Sequence, residues 1–210
     1  MNTKKEPKMA TELSELQKDF LTEIINIAYG KATARIAQIL DAFATMNVPN
    51  IKYVTKVDLC NEISLKKQEH GGCYLSIQTF VGKFDGETIF LLGEDSAQNL
   101  IKHLGNAHEF DNTKDSIIEL TNIVTALLIT EMANNLDTEV YFNEPSFQEF
   151  KCDNVLQETL TDDYEHIIAI DTVMEFKEQK IIGHVYILTH NKSFKWLTET
   201  LDEKIKELGL

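Results

Sequence analysis

The chain has 210 residues, 43% of them hydrophobic, and a formal net charge of -14 at pH 7. That length allows one substantial core or two small fused units. The acidic balance excludes a nucleic-acid footprint, which needs clustered Lys and Arg, and disfavours an anionic membrane surface. Three scattered cysteines (Cys60, Cys73 and Cys152) fit neither a disulfide framework nor zinc-ligand spacing, so a reducing compartment is expected.

The opening residues 1–10, MNTKKEPKMA, carry charge with no following apolar stretch. They read as a tail rather than a signal peptide. No uninterrupted apolar run approaches the roughly 20 residues that cross a bilayer, so a soluble cytoplasmic protein is expected. Apolar residues at helical spacing predict a long helix from Leu13 to Phe43. An extended segment starts near Pro49, and the weakly periodic stretch after it is left unassigned. A two-stranded hairpin is then predicted, with strands from Tyr74 to Val81 and Glu87 to Leu92 flanking the turn residues Phe84, Asp85 and Gly86. Asp95 or Ser96 can cap a short helix that Gly105 terminates. The same succession follows: a helix from Lys114 to Asn135, an extended segment near Pro145, and a hairpin of Ile167–Phe176 and Ile181–Leu188 around Lys177, Glu178 and Gln179. A helix from Lys192 to Leu208 closes the chain.

The succession recurs because the sequence does. DFLTEIINIA at Asp19 to Ala28 is matched by DSIIELTNIV at Asp115 to Val124, 96 positions on. The same offset relates Leu40-Asp41 to Leu136-Asp137 and Pro49 to Pro145. It also takes Ile89-Phe90-Leu91-Leu92 to Val185-Tyr186-Ile187-Leu188, with no gap needed. Repeats of about 11–106 and 107–210 are expected to build a single domain over 11–210. Its fold class is α+β, a pseudo-two-fold duplicated repeat with two long surface helices packed on a largely antiparallel sheet.

Successive helical residues advance by roughly 100°. With Asp19 at zero, Glu23 falls near ~40° and Asn26 near ~-20°, so the three stand in one row. Phe20, Leu21, Ile24, Ile25, Ile27 and Ala28 lie on the opposite side, as the buried stripe. Asp115, Glu119 and Asn122 form the same row opposite Ile117, Leu120, Ile123 and Val124. Charged residues on such a face are usually just solvated. Asn is different, because in mid-helix its amide competes for backbone groups. Its return at the equivalent place in both repeats points to a role beyond solubility.

Asp/Ser-x3-Glu-x2-Asn, followed by 22 residues and Pro, resembles the active-site signature of the CheC/CheX/FliY phosphatases, and it occurs here twice: Asp19, Glu23, Asn26, Pro49, and Asp115, Glu119, Asn122, Pro145. The first flank, EIINIAYGKATARIAQIL, also resembles the family, whereas ELTNIVTALLITEMANNL has Ala126 where the first repeat has Gly30. Two sites, and an end at Leu210, point to CheC rather than to CheX or FliY.

The resemblance implies dephosphorylation of the aspartyl phosphate of a CheY-like chemotaxis response regulator. The receiver is expected to supply Mg²⁺ and a Lys, and this chain no cofactor. What the receiver lacks is a water held in line, and a carboxamide, at once donor and acceptor, can hold one. Asn26 and Asn122 take that role, while Glu23 and Glu119 pair with the receiver's Lys. A general-base role for Glu is disfavoured, because an exposed carboxylate is weakly basic. Asp19 and Asp115 are peripheral, and Pro49 and Pro145 structural. The alternative is a non-catalytic adaptor for a receiver, a CheD-like deamidase or the flagellar switch.

Other signals carry less. His103 and His108 do not share a helix face, the acidic run 161–165 reads as a solvated loop, and the Asn191 sequon has no meaning in a cytosolic protein. Trp196 reads as core.

Overall fold

The structure, a computed structural model, describes residues 13–47, 50–69, 72–104, 113–150 and 167–209. Residues 1–10, Pro49, Gly105, His108 and the acidic run 161–165 therefore lie outside the described residues.

Helix α1 spans Glu15–Ile39. Its start is a capping box: Ser14 Oγ accepts from the Gln17 backbone N–H, and Gln17 Oε1 accepts from the Ser14 N–H. It ends four residues before the expected Phe43, because Asp41 turns left-handed, with φ of 45°. The Ala42 N–H then bonds the Ala37 carbonyl at 3.0 Å, closing the helix as glycine usually does. The long helix of the second repeat, Thr113–Asn135, ends the same way at Asp137, with φ of 52° and a bond from Thr138 N–H to the Ala133 carbonyl. The repeated Leu-Asp pair is thus a repeated helix stop.

After β1 (Ala44–Met46) and β2 (Asn50–Val54), the unassigned stretch folds as helix α2, Lys56–Glu69. Thr55 and Asp58 cap it reciprocally. The hairpin β3 (Cys73–Gly82) and β4 (Gly86–Gly93) leads straight into α3, Glu94–Leu104. Neither Asp95 nor Ser96 caps α3, since both lie inside it. Ser96 Oγ instead accepts from the Ile182 N–H. Helix α4 (Thr113–Asn135), β5 (Val140–Phe142) and β6 (Ser146–Phe150) follow, then the hairpin β7 (Ile167–Phe176) and β8 (Ile181–Thr189), and finally α5, Asn191–Glu207.

Among the described residues all the ladders are antiparallel and form one eight-stranded sheet in the order β1-β7-β8-β4-β3-β5, with β2 also on β7 and β6 also on β3. Each half of the chain sends its two short strands to the hairpin of the other half, and the hairpins meet along β4 and β8. At that seam Gly86 has a steric duty beyond the turn: a Cβ there would sit 1.9 Å from the Leu188 carbonyl oxygen.

One face of the sheet is covered by α1, α3, α4 and α5. Its core includes Leu21, Ile25, Ile36, Phe80, Phe90, Leu120, Val124, Leu128 and Leu201. Each such side chain contributes about 1.5–3 kcal/mol on burial. Trp196 packs against this core, partly buried. The other face is covered by α2 through Leu59, Cys60 and Ile63. Helix α4 is long and apolar enough, by length and composition, to cross a bilayer, which a search for uninterrupted apolar runs misses; more than half of its apolar window is buried inside the protein, as in the core helix of a soluble protein.

Helices α1 and α4 pack on each other, and the buried Glu131 carboxylate lies 3.6 Å from both Lys31 and Arg35. Arg35 and Glu131 are 96 residues apart. Equivalent positions of the two repeats thus meet across the pseudo-axis with opposite charges.

The offset of 96 does not persist into the hairpins. Met46 pairs with Met174, whereas its repeat partner Phe142 pairs with Phe80, so β3 and β7 are related by 94 positions. Ladder registers then relate β4 and β8 by 97. Ile89 therefore corresponds to Tyr186, not Val185. Both Ile89 and Tyr186 face α2, whereas Val185 lies in the opposite core.

Candidate functional site

On α1, Asp19 and Glu23 are exposed and Asn26 is half-buried, while Leu21, Ile24, Ile25 and Ala28 beneath them are buried. Ile27, expected in the buried stripe, is 41% exposed instead and flanks the row. On α4, Asp115, Glu119 and Asn122 are all exposed above Ile117, Leu120 and Val124. Among the described residues, neither Glu23 nor Glu119 has a hydrogen-bond or ion partner. Two carboxylates on the outer faces of stiff helices, one turn before a carboxamide, are thus available to an incoming cation.

The loop behind each row has a common origin. Between Phe142 and Ser146 the chain advances four residues, while its partner strand moves three, from Phe80 to Ile77. The extra residue makes a bulge, and Pro145, which has no N–H to give a ladder, lies within it, half-buried. The same excess of one occurs between Met46 and Asn50, against Met174 to Asp171.

Beneath the second row lies a residue that the sequence did not mark. Gln78, on β3, is 1% exposed. Its Nε2 donates to the Asn122 Oδ1 at 2.9 Å and to the Asn143 carbonyl, at the bulge, also at 2.9 Å. Nothing in the local pattern of β3 marks Gln78 beyond a buried polar position in a strand.

The first row has a different setting. Asn26 has no hydrogen bond to another described residue, and it lines a groove of about 480 Å³ together with Tyr29, Gly30, Ala37, Phe43 and Met46. Phe43 is 67% exposed at the mouth of this groove. The Tyr29 hydroxyl is buried with no partner among the described residues, and burial first, then the Asp171 charge, raises its pKa. A Cβ at Gly30 would meet only open space, so an alanine there, as the other repeat has at position 126, fits without repacking.

His103, set aside as a metal ligand, holds the end of α1 through a 2.7 Å bond between Nε2 and the Leu40 carbonyl.

No protein-family model matches the chain. It is 24% identical over 198 residues to the CheY-P phosphatase CheC of Bacillus subtilis (strain 168), a match covering 88% of this chain and 93% of that protein. The crystal structure of Thermotoga maritima FliY superposes with a TM-score of 0.64 at 16% identity, covering 91% of this chain and 98% of that one. The FliM middle domain from H. pylori gives 0.62 at 11% identity, with 90% and 99% covered. The chain is CheC-like: it has the fold of the CheC/CheX/FliY family and, over most of its length, sequence similar to a CheC.

Proposed function

We propose that the protein is a cytoplasmic phosphatase of a phosphorylated CheY-like receiver, with one active site on α1 and one on α4. The observation that carries this is the pair of Glu-x-x-Asn rows, each on an exposed helix face with its carboxylate unpaired among the described residues. An aspartyl phosphate is buried in its own domain, so the group that reaches it must project from a convex surface. A helix face does so, and a deep pocket is not needed.

In this reading Glu23 or Glu119 docks on the receiver's active-site Lys, and Asn26 or Asn122 holds a water in line with the phosphorus. The water oxygen bonds to phosphorus, and the bond from phosphorus to the aspartate oxygen breaks. The carboxylate is released on the receiver, and the water's protons leave with inorganic phosphate and solvent. Mg²⁺, carried by the receiver as part of the substrate, offsets the charge on the phosphoryl oxygens. Asp19 and Asp115 lie at the edge of the docking face, and the bulge containing Pro145 shapes the ground under Asn122.

The FliM-like fold favours one other reading, a surface that binds a receiver, a CheD-like deamidase or a switch component without hydrolysis. Following the decay of a phosphorylated CheY receiver with and without the protein in Mg²⁺ separates the two. Catalysis accelerates decay at substoichiometric protein, whereas a binding module leaves the decay rate unchanged or slows it.

A further inference from the structure

The two sites are built on the same plan but finished differently. Ladder register makes Thr172 of β7 the structural counterpart of Gln78 of β3, 94 residues on. The two side chains perform the same first task. Gln78 Nε2 donates to the bulge carbonyl of Asn143, and Thr172 Oγ1 donates to the bulge carbonyl of Asn47 at 2.8 Å. Thr172 ends there. Gln78 is two bonds longer, and its second amide hydrogen reaches Asn122 Oδ1.

Resting on the phosphatase reading above, we propose that Gln78 is a positioning residue for Asn122 and that only the second site has one. The orientation of the relay is fixed from the backbone outward. A carbonyl such as Asn143 O can only accept, so Gln78 must turn its amide nitrogen toward it. That nitrogen's other hydrogen then requires an acceptor, and Asn122 must present its oxygen. The Asn122 Nδ2 is left pointing away from Gln78, while Oδ1 keeps its second lone pair. A flip of either carboxamide would set two acceptors or two donors against each other, and on the Gln78 side, 1% exposed, no water can replace the lost bond although Asn122 itself is exposed. Among the described residues Asn26 has no such tie, so it is ordered by the substrate itself. Asn122 is therefore pre-ordered for water alignment at no cost to the docking step.

The test uses the full chain with the first site removed, Glu23→Ala/Asn26→Ala, so that turnover of a phosphorylated CheY receiver reports the second site. Into this parent goes Gln78→Thr, which copies the side chain of the other repeat and keeps a donor for Asn143. The expected result is a fall in kcat of about tenfold, one hydrogen bond's worth, with KM within about twofold. An unchanged kcat in an active parent overturns the role of Gln78 alone. A parent with no activity, in a full chain that is also inactive, overturns the phosphatase reading and the role with it. An independent readout is the NMR order parameter of the side-chain amides in the unmodified protein. Asn122 should be rigid and Asn26 mobile, and Gln78→Thr should release Asn122. Equal mobility of the two before any substitution overturns the proposal even if Gln78→Thr does not fold.

Discussion

Replacing Lys52 with Met should destabilise the protein far more at pH 7 than at pH 5. Lys52 Nζ donates to Glu62 Oε1 and Oε2 at 2.9 and 3.1 Å and lies 3.4 Å from Asp171 Oδ2. All three side chains are less than one-third exposed. Burial raises the Asp171 pKa most; Lys52 opposes this and Glu62 adds to it. Burial alone would lower the pKa of Lys52, but the hydrogen bond and charge of Glu62, then Asp171, outweigh it and raise it. Both partners of one ion pair are thus shifted upward. The two directions agree once Glu62 is counted, since it supplies most of the attraction that Lys52 feels. Lys52→Met leaves two carboxylates facing each other, with only the weaker charge of Lys66 to offset them. Loss of one partner of a buried pair costs about 3–5 kcal/mol, and the remaining exposure here reduces that to about 2–3 kcal/mol. A carboxyl whose folded pKa is raised contributes stability that is full below its unfolded pKa and is lost as pH rises through the folded value. Without Lys52 the folded pKa of Asp171 rises further, so the loss is large at pH 7 and recovers as the pH falls toward 5. Urea unfolding at the two pH values reads this directly, as a shift in midpoint at constant slope. Asp171→Asn removes the costly charge and leaves Lys52 on Glu62, so its stability at pH 7 should lie within about 1 kcal/mol of the unmodified protein. An equal loss for Lys52→Met at both pH values, or a greater one at pH 5, would refute the reasoning.

Asp41→Val places a β-branched residue at a left-handed position on an exposed helix end and should cost about 1–2 kcal/mol in chemical denaturation, although no side-chain packing is lost. Gly86→Ala forces β4 away from the Leu188 carbonyl and should lower the unfolding midpoint by at least about 2 kcal/mol equivalent. In steady-state assays of receiver dephosphorylation, Glu23→Ala/Asn26→Ala and Glu119→Ala/Asn122→Ala should each leave activity, and the two remainders should sum to about the unmodified rate. Complete loss with either pair alone would contradict separate sites.

The parts of the fold visible in the sequence are those set by short-range periodicity. β-rich runs on either side of turn residues give the bounds of β3, β4, β7 and β8 within a residue or two, and the 3.6-residue period of α1 and α4 turns the Asp, Glu and Asn rows outward. Helix α2 escaped because its apolar anchors, Leu59, Cys60 and Ile63, are few, and the polar remainder masks their spacing. Its signal was local: Thr55-x-x-Asp58, a capping box. The Leu-Asp stops are legible as repetition but not as geometry, since Asp in a left-handed conformation has no pattern that distinguishes it from an exposed Asp. The 96-residue offset slipped in the hairpins because aliphatic strands match one another at several registers, and only the ladders separate Val185 from Tyr186. Gln78 was out of reach for another reason. Its meaning depends on a strand, a helix and a bulge carbonyl from three separate segments, and no spacing in the chain records that meeting.

Receiver dephosphorylation by Asn26→Ala/Asn122→Ala in Mg²⁺ measures directly whether the two carboxamides align the water. Asn26 is half-buried and Asn122 accepts from the buried Gln78, so the double mutant should keep the circular dichroism of the unmodified protein and lose about 1–3 kcal/mol of stability while remaining folded. Decay of the phosphorylated receiver should return to its spontaneous rate. Unaltered acceleration of decay by the folded double mutant would contradict the account.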